Sequence, residues 1–440
     1  MEIKLKKYDA YKNSGVEWLG EIPEGWEVKK LKHVLKFTTG GTPSSQVNGL
    51  YDGEEPWVTI SDMDGRYIDK THFISKKGVK AASIPITPKG SLLYSFKLSV
   101  GQMAFTKNDI FTNEAIASFH PSKNVNLNYW YYHHPLFLVK NANTNIYGAF
   151  LLNQDLIKNA IVLYPPLTEQ TAIAKFLDDK TAKIDQAISI KQKQIGLLKE
   201  RRQILIHKAV TQGINPNVKL KDSGVAWIGE IPEHWEVKRF RNTFKISKGL
   251  TITKENLIEE GIPCVNYGEI HSKFGFEVNP KIHSLKCVSE DYLKDNSGSL
   301  LKGGDFVFAD TSEDIAGSGN FTYLNSKEQV FAGYHTVIAR PNRDVNSRFF
   351  AYEFDSTLFR NQVRKKVKGV KVYSITQSLL KELSLWLPPF EEQIQIASYL
   401  DNQTTKLFTA ISLKEKEIEK LKEYKASLIN SVVTGKVRVL

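Results

Sequence analysis

The chain has 440 residues and a formal net charge of +12, because 60 Lys and Arg outnumber 48 Asp and Glu. Its 41% apolar and 11% aromatic content excludes a disordered protein, and its length predicts about two or three domains. Two cysteines exclude a disulfide framework. With no apolar leader segment and no run of about 18 apolar residues, we expect a soluble cytoplasmic protein. The positive charge favours an anionic partner.

The sequence contains an internal duplication. Residues 14–32, SGVEWLGEIPEGWEVKKLK, return as residues 223–241, SGVAWIGEIPEHWEVKRFR, with 13 of 19 positions identical. A second pair of matching blocks occupies residues 165–211 and 388–434. The offset between the copies grows from 209 to 223 across the intervening stretches, and insertions accumulate in surface loops. Residues 33–147 and 242–370 are therefore predicted to be two copies of one domain with divergent loops and different recognition tasks.

The repeats predict four segments: a first domain with its N-terminal repeat segment at 1–164, a long helix at 165–213, a second domain at 214–387 and a second long helix at 388–440. Short apolar runs such as PWVTI and DFVFA are typical of strands, so we predict an α+β fold with two repeated mixed domains. The aromatic run at 129–132 is interpreted as core packing rather than a base-stacking platform. Its counterpart at 349–352 keeps the bulk but loses polarity at two positions.

The blocks at 168–210 and 391–433 carry apolar residues at seven-residue spacing, typical of a coiled-coil seam. Each block spans ~64 Å as a helix, which is too long for a lone soluble helix. The seams also contain Thr181, Lys191, Thr404 and Lys414. We interpret the lysines as turned to water beside two packed helices; the alternative is that they reach DNA phosphates or a partner subunit. The predicted seam residues are Leu177, Ile184, Ile188, Ile195, Leu198, Leu205, Leu400, Leu407, Ile411, Ile418, Leu421 and Leu428.

Catalytic signatures are missing from the sequence. It has no GxxxxGK[ST] loop and no GxGxxG run for ATP or dinucleotides. The diproline turns at 164–167 and 387–390 lack the Asn or Asp of the loop that DNA amino-methyltransferases carry. The tripeptides at 27–29 and 236–238 resemble the end of a metal-dependent nuclease motif, but without an upstream carboxylate on a strand they are interpreted as structural. We therefore predict a chain that is not an enzyme and holds no metal.

A cationic cluster without acidic residues lies in the second domain copy, in the stretch RNQVRKKVKGVK. It is interpreted as a phosphate-contacting loop, with a solvated helix face as the alternative. The cluster and the tyrosine after it are Arg360, Arg364, Lys365, Lys366, Lys368, Lys371 and Tyr373. The equivalent stretch of the first copy carries amides, which can read adenine edges, and a tyrosine: Asn141, Asn143, Asn145 and Tyr147. These two sets are the candidate DNA-binding residues.

The repeated WxGEIPxxWEVKxx segments, the PPLTEQ and PPFEEQ turns, and the long helices ending in AVTQG and VVTGK resemble the specificity (S) subunit of a type I restriction-modification system. The resemblance covers essentially the whole chain. It implies two target recognition domains, each reading one half of a split DNA sequence, and an antiparallel coiled coil in a pseudo-two-fold arrangement. The implied partners are double-stranded DNA, methyltransferase (M) subunits and restriction or motor (R) subunits. S-adenosylmethionine, ATP and Mg are expected on those partners, and no cofactor on this chain.

No base-contacting residue transfers from the family, because its recognition domains diverge in those loops. A second class of function stays open from the residues alone, namely a duplicated coiled-coil scaffold that binds a protein or carbohydrate ligand. Salt separates the two, since DNA binding weakens steeply as salt rises whereas binding of a neutral ligand does not.

Overall fold

The computed structural model of the chain describes residues 6–97, 99–144, 150–369 and 371–439. These residues form two compact units. The first unit contains the residues up to Lys191 together with those from Lys416 onward, and the second unit is Gln192–Glu415. Each long helix therefore contributes one half to each unit, and each repeated domain belongs to one unit.

In the first unit, short strands precede the first long helix. Strands β1 to β13 are Tyr11–Asn13, Glu21–Pro23, Glu27–Lys30, Phe37–Thr39, Glu55–Val58, His72–Ile74, Leu92–Ser95, Met103–Phe105, Phe111–Thr112, Ile116–Phe119, Asn143–Thr144, Phe150–Leu151 and Ile161–Tyr164. Helices α1 to α4 are Lys76–Ala81, Leu127–Phe137, Gln154–Asn159 and the long Leu167–Gln212. Strands β4, β10, β7 and β8 form one sheet in that order, and β6, β5 and β9 form a second.

The second unit repeats this plan. Strands β14 to β27 are Leu220–Asp222, Glu230–Pro232, Glu236–Arg239, Phe244–Lys248, Ile262–Val265, Phe276–Val278, Cys287–Val288, Phe306–Ala309, Thr311–Ser312, Phe321–Leu324, Phe331–Ala332, Thr336–Pro341, Tyr373–Ser374 and Ser384–Leu387. Helices α5 to α10 are Tyr267–Ser272, Tyr292–Asp295, Ser347–Asp355, Thr357–Arg364, Gln377–Lys381 and the long Phe390–Val433. The larger sheet has the order β17, β25, β21, β23, β19, and the smaller one β20, β18, β24.

The two domains share their central strands. Strand β10 lies between β4 and β7, and β25 lies between β17 and β21. All four side chains of β7, and all four of β21, are buried, which explains why these strands read as unbroken apolar runs. The aromatic residues Tyr129, Trp130, Phe349 and Phe350 are fully buried, so their predicted place in the core is confirmed. The predicted α+β class with repeated mixed domains is also confirmed.

The repeated tryptophan segment and the EQ turn contact each other. The Trp26 indole N–H donates to the Glu169 carboxylate at 2.9 Å, and the Trp235 indole N–H donates to Glu392 at 3.0 Å. Both indoles are fully buried, and a buried indole N–H requires an acceptor. The two most similar stretches of the duplication are therefore the two sides of one structural contact, made once in each unit.

The tripeptides that resemble a nuclease motif are structural, as interpreted. Strand β3 pairs antiparallel with β13, and β16 pairs antiparallel with β27, immediately before each long helix. Glu27 forms an ion pair with Lys29, and Glu236 forms one with Lys238. These carboxylates are solvent-exposed, and in the described part of the chain no group of three His, Cys, Asp or Glu side chains is arranged to hold a metal.

The long helices pack antiparallel within each unit. In the first unit Lys425 of α10 pairs with Asp185 of α4 at 2.7 Å, and Lys191 pairs with Glu417, so residue numbers rise along one helix as they fall along the other. In the second unit the Arg202 guanidinium of α4 lies 5.5 Å from the ring centre of a phenylalanine of α10. Eight predicted seam residues are buried: Leu177, Ile184, Ile195, Leu400, Leu407, Ile411, Ile418 and Leu428. The other four are half-buried: Ile188, Leu198, Leu205 and Leu421.

The seam threonines join each domain to its helix. Thr181 is buried and lies 3.1 Å from the Tyr132 hydroxyl of α2, while its own hydroxyl donates to a carbonyl one turn earlier. Thr404 repeats the arrangement, 3.0 Å from the Tyr352 hydroxyl of α7. A hydroxyl is a donor and an acceptor, so each buried polar seam position is satisfied by the domain that packs on it.

Candidate nucleic-acid interface

A polar cleft opens in the second unit where β22 pairs with β26. Thr311 lies opposite Ser374 in this short ladder, and the turn between β24 and β25 and the start of α9 complete the walls. The cleft has a volume of about 720 Å³. The polar and aromatic side chains that line it include Lys248, Thr251, Asp310, Thr311, Tyr334, His335, Ser374 and Gln377.

A second cavity, of about 630 Å³, shares Thr311 with the cleft. His271 of α5 lines it, and both of its ring nitrogens are engaged. Nε2 lies 2.8 Å from the Thr311 carbonyl oxygen and Nδ1 lies 2.8 Å from the Asn320 amide nitrogen. A carbonyl only accepts hydrogen bonds, so Nε2 carries the proton and His271 is a structural residue of the second cavity.

The predicted cationic cluster divides into two parts. The Arg360 guanidinium donates to the Asn320 side chain at 2.6 Å and pairs with Asp355 at 3.1 Å. Arg364 donates to the Ala316 carbonyl at 2.6 Å, and burial lowers the pKa of its guanidinium. Because these two arginines are bound to their own domain, we assign them a supporting role instead of the predicted contact with phosphate.

The lysines of the same cluster face solvent. They are exposed, and none forms an ion pair with another residue of the described ranges: Lys365, Lys366, Lys368 and Lys371. Lys368 forms a backbone bridge with Ser374 of β26. This bridge joins the segment that carries these four lysines, here called the lysine loop, to the edge of the cleft. Tyr373 is half-buried in β26 itself. All four lysines are therefore available to an anion, and the bridge at Lys368 places one of them next to Ser374 of the cleft.

The candidate residues of the first unit are placed less uniformly. The Asn141 amide nitrogen donates to the Phe137 carbonyl at 2.8 Å, and its oxygen accepts the Ile161 backbone N–H at 3.1 Å. Asn141 therefore ties the end of α2 to β13, and these contacts use its side-chain amide within the domain and do not support the predicted base readout. Asn143 is exposed in β11. Asn145 and Tyr147 lie outside the described residues.

Equivalent positions of the two domains form the same backbone hydrogen bond at a strand end, here called the frame, and in the second unit this frame lies at the cleft. The backbone N–H that follows β7, from Phe96, donates to the Ala115 carbonyl at 3.0 Å, and the N–H that follows β21, from Asp310, donates to the His335 carbonyl at 3.0 Å. A closely packed glycine lies near each frame, since a Cβ on Gly249 would lie 2.2 Å from the Gly333 carbonyl oxygen and a Cβ on Gly40 would lie 1.7 Å from the Thr112 carbonyl oxygen.

The side chains on these equivalent frames differ. Asp310, Tyr334 and His335 of the second unit stand where the first unit has Phe96, Glu114 and Ala115, respectively. None of these six positions could be predicted from the sequence, because they come from separate strand ends that only the sheet brings together. The available signal was the change of offset between the copies, which marks the loops where the domains diverge.

The comparisons with known proteins decide the family. The sequence profile of the type I restriction modification DNA specificity domain matches residues 23–195 and 232–423, which is most of the chain. The chain belongs to this family. Its duplication therefore corresponds to two specificity domains, and the predicted resemblance is confirmed.

Relatives and solved structures of this family extend over the whole chain. The sequence is 26% identical over 427 residues to the type I restriction enzyme MjaVIII specificity subunit of Methanocaldococcus jannaschii, covering 95% of this chain and 94% of that protein. The MjaIX specificity subunit of the same organism is 25% identical, with 99% and 98% covered. A chain from a structural study of complex assembly in the type I R-M system has a TM-score of 0.73 at 15% identity, with 94% and 98% covered. The HsdS subunit from Thermoanaerobacter tengcongensis has a TM-score of 0.54 at 14% identity, with the same coverage.

Membership of this family defines the role of the chain. It is a specificity subunit of a type I restriction-modification system, it provides DNA sequence specificity to a complex, and it is not itself catalytic. None of the described helices combines the length and apolar character needed to span a bilayer.

Proposed function

We propose that the chain binds double-stranded DNA at two short half-sites separated by unread bases, one half-site for each unit, and directs methyltransferase and motor-nuclease subunits to that sequence. The observation that carries the proposal is the pair of equivalent frames with different side chains. A common frame presents the same part of each domain to DNA, and different side chains at its positions distinguish different base edges.

The lysine loop supplies the contacts with phosphate in this proposal. Phosphate contacts give affinity and register without sequence information, and each neutralised phosphate steepens the dependence of log K on log salt by about 0.9. Lys365 and Lys366 are exposed at the end of α8 with no acidic partner in the described chain, so both charges are available to DNA.

Exposed apolar residues on the long helices are evidence for a protein partner. In the second unit Leu197 and Ile204 lie seven residues apart on α4 and are 64% and 58% exposed, and Leu413 of α10 is 56% exposed. Exposed apolar residues at heptad spacing are typical of a surface on which another helix packs. We assign this surface to the methyltransferase subunits. In this proposal those subunits hold S-adenosylmethionine, the motor subunits hold ATP and Mg, this chain holds no cofactor, and the complex acts in the cytoplasm.

DNA affinity as a function of salt tests the proposal. The chain, assembled with its methyltransferase subunits, is expected to bind its methylated sequence with a steep salt dependence. The double variant Lys365→Ala/Lys366→Ala is expected to reduce the slope by about 1.8 and to weaken cognate and non-cognate DNA by similar factors. The matched control removes two other exposed lysines of the same unit, Lys302 and Lys327, which lie outside the cationic stretch.

Mapping the methylated bases provides the second measurement. A split sequence with an unread spacer is expected, and no methyl transfer by the chain without its partner subunits. Binding that does not change with salt, or a single continuous target sequence, would contradict the proposal and favour the scaffold alternative or a single reader.

A further inference from the structure

The turn that precedes β25 holds a histidine in a strained conformation at the cleft. His335 has a φ of +54°, in the left-handed region that non-glycine residues adopt at a cost. The equivalent Ala115 is not in that region. Strained residues persist where the surrounding structure fixes them, and they concentrate at functional sites. Here the Asp310 N–H donates to the His335 carbonyl at 3.0 Å and the Gly249 N–H donates to the next carbonyl, of Thr336, at 3.1 Å.

The imidazole of His335 is oriented by a carboxylate. Its Nδ1 lies 3.2 Å from the Asp310 Oδ1, and the two side chains are 56% and 32% exposed. An ionised carboxylate only accepts hydrogen bonds, so Nδ1 carries a proton, and the tautomer that is protonated only there presents Nε2 as an acceptor. Tyr267 and Tyr334 confine the ring edge-on, with ring centres at 5.2 and 5.9 Å.

The free nitrogen distinguishes His335 from the other histidine near the cleft. His271 uses both ring nitrogens in hydrogen bonds within the domain. The Nε2 of His335 forms no hydrogen bond with any residue that the structure describes. An exposed, oriented acceptor with no hydrogen-bond partner in the described chain is available to a ligand in the cleft.

We propose that His335 reads one base pair of the half-site recognised by the second unit, and that Asp310 is its positioning residue. The Nε2 acceptor matches an exocyclic amino group in the major groove, which adenine presents at N6 and cytosine at N4. The inference rests on the proposed function and adds to it the residue and the hydrogen-bond polarity of one readout. The lysine loop fixes the register of the phosphates, and His335 distinguishes the base.

The decisive variant is His335→Gly in the complete complex with methyltransferase subunits. Glycine adopts a positive φ without strain, so the turn is preserved while the imidazole is removed. The expected result is a second half-site in which discrimination at one base pair falls about tenfold, while the first half-site and the affinity for non-specific DNA stay within about twofold. Ala115→Gly is the matched control at the equivalent position of the first unit, and it should leave the second half-site unchanged.

A modified base tests the polarity of the contact. At the position that His335→Gly relaxes, DNA in which the amino-bearing base is replaced by its analogue without that group should bind the wild-type complex about tenfold more weakly. The variant complex should bind both DNAs equally. Asp310→Ala should relax the same base pair, with a thermal midpoint close to that of the wild type.

Three outcomes would overturn the inference: an unchanged second half-site in the glycine variant, an equal loss on cognate and non-cognate DNA, or a wild-type complex indifferent to the missing amino group. Retention of the first half-site shows that the variant is folded. A wild-type complex without a split target sequence would instead refute the proposed function, so the two failures are distinguishable.

Discussion

The first unit is expected to lose free energy of unfolding in mild acid, and replacing His134 by Phe is expected to halve this loss. His133 and His134 of α2 are both fully buried, and burial lowers the pKa of each imidazole, that of His134 to about 3. The His134 ring lies among aromatic rings, 4.5 Å from that of Phe119 and 5.2 Å from that of Trp130. Neither of its nitrogens has a hydrogen-bond partner in the described chain.

The sign and size follow from proton linkage. In the unfolded chain a histidine has a pKa of about 6.5, so below this pH the unfolded state binds protons that the folded state cannot accept. A lowered pKa in the folded state therefore gives stability that is present above pH ~6.5 and is lost as the pH falls. Between pH 7.5 and 5.5 each histidine costs about 1.4 kcal/mol, and the pair about 2.7 kcal/mol.

His134→Phe removes one of the two histidines that take up a proton on unfolding in mild acid. Phe354 of the second unit occupies the position equivalent to His134 and is fully buried, so an aromatic ring without nitrogens fits this frame. His133 must stay, because its Nε2 accepts the Leu163 backbone N–H at 3.2 Å. His134→Phe is therefore expected to lose about 1.4 kcal/mol over the same pH interval.

Urea unfolding of the full chain at pH 7.5 and 5.5, with hydrogen exchange of residues 127–137 to assign the transition to the first unit, measures the difference. Phe354→His is the matched control and should make the second unit sensitive to acid. An identical pH dependence in the wild type and His134→Phe would refute the reasoning, since it would mean that the folded state accepts the proton.

Burial raises the pKa of the Glu353 carboxyl. The free energy of unfolding of the second unit should therefore fall as pH rises above ~4.5, by up to about 1.4 kcal/mol for each pH unit. Glu353→Gln should abolish this loss in urea unfolding measurements. Tyr352→Phe and Tyr132→Phe should each cost about 1–2 kcal/mol, because each hydroxyl donates to an aspartate of a long helix, with hydrogen exchange changed only in the mutated unit. Leu197→Lys should weaken association with methyltransferase subunits in analytical ultracentrifugation, whereas Ile282→Lys, at the 73% exposed site in the recognition domain, should not.

The general architecture of the protein could be predicted from sequence because the residues that determine it are repeated and local. The heptad spacing predicted the helices, since a buried stripe along a helix requires apolar residues at that period. The most similar stretches, around Trp26 and Glu169, are the two sides of one contact, because the two side chains bond to each other. A contact that both copies need keeps its residues in both.

The cleft could not be predicted in the same way. Asp310 and His335 are 25 residues apart in sequence, and only the pairing of β21 with β25 brings them within hydrogen-bond distance. The cationic cluster was visible in the sequence, but its spacing does not distinguish Arg360, which donates to Asn320 at 2.6 Å, from the exposed Lys365. Partners inside the fold decide which charges remain available to DNA, and those partners come from distant segments.

The arginines that pair the recognition domains with the long helices show why an alignment of the two copies does not predict such partners. Asp178 accepts from Arg66 at 2.7 Å, and its equivalent Asp401 accepts from Arg348 at 2.8 Å. The two arginines are not equivalent, since the start of α2 has Asn128 where α7 has Arg348, and Asn128 instead accepts from Arg66 at 3.1 Å. Coulomb attraction depends on distance and surroundings and not on the segment that supplies the charge. Each divergent domain therefore supplies its own cation to an equivalent carboxylate, from the loop residue Arg66 in the first unit and from the helix residue Arg348 in the second.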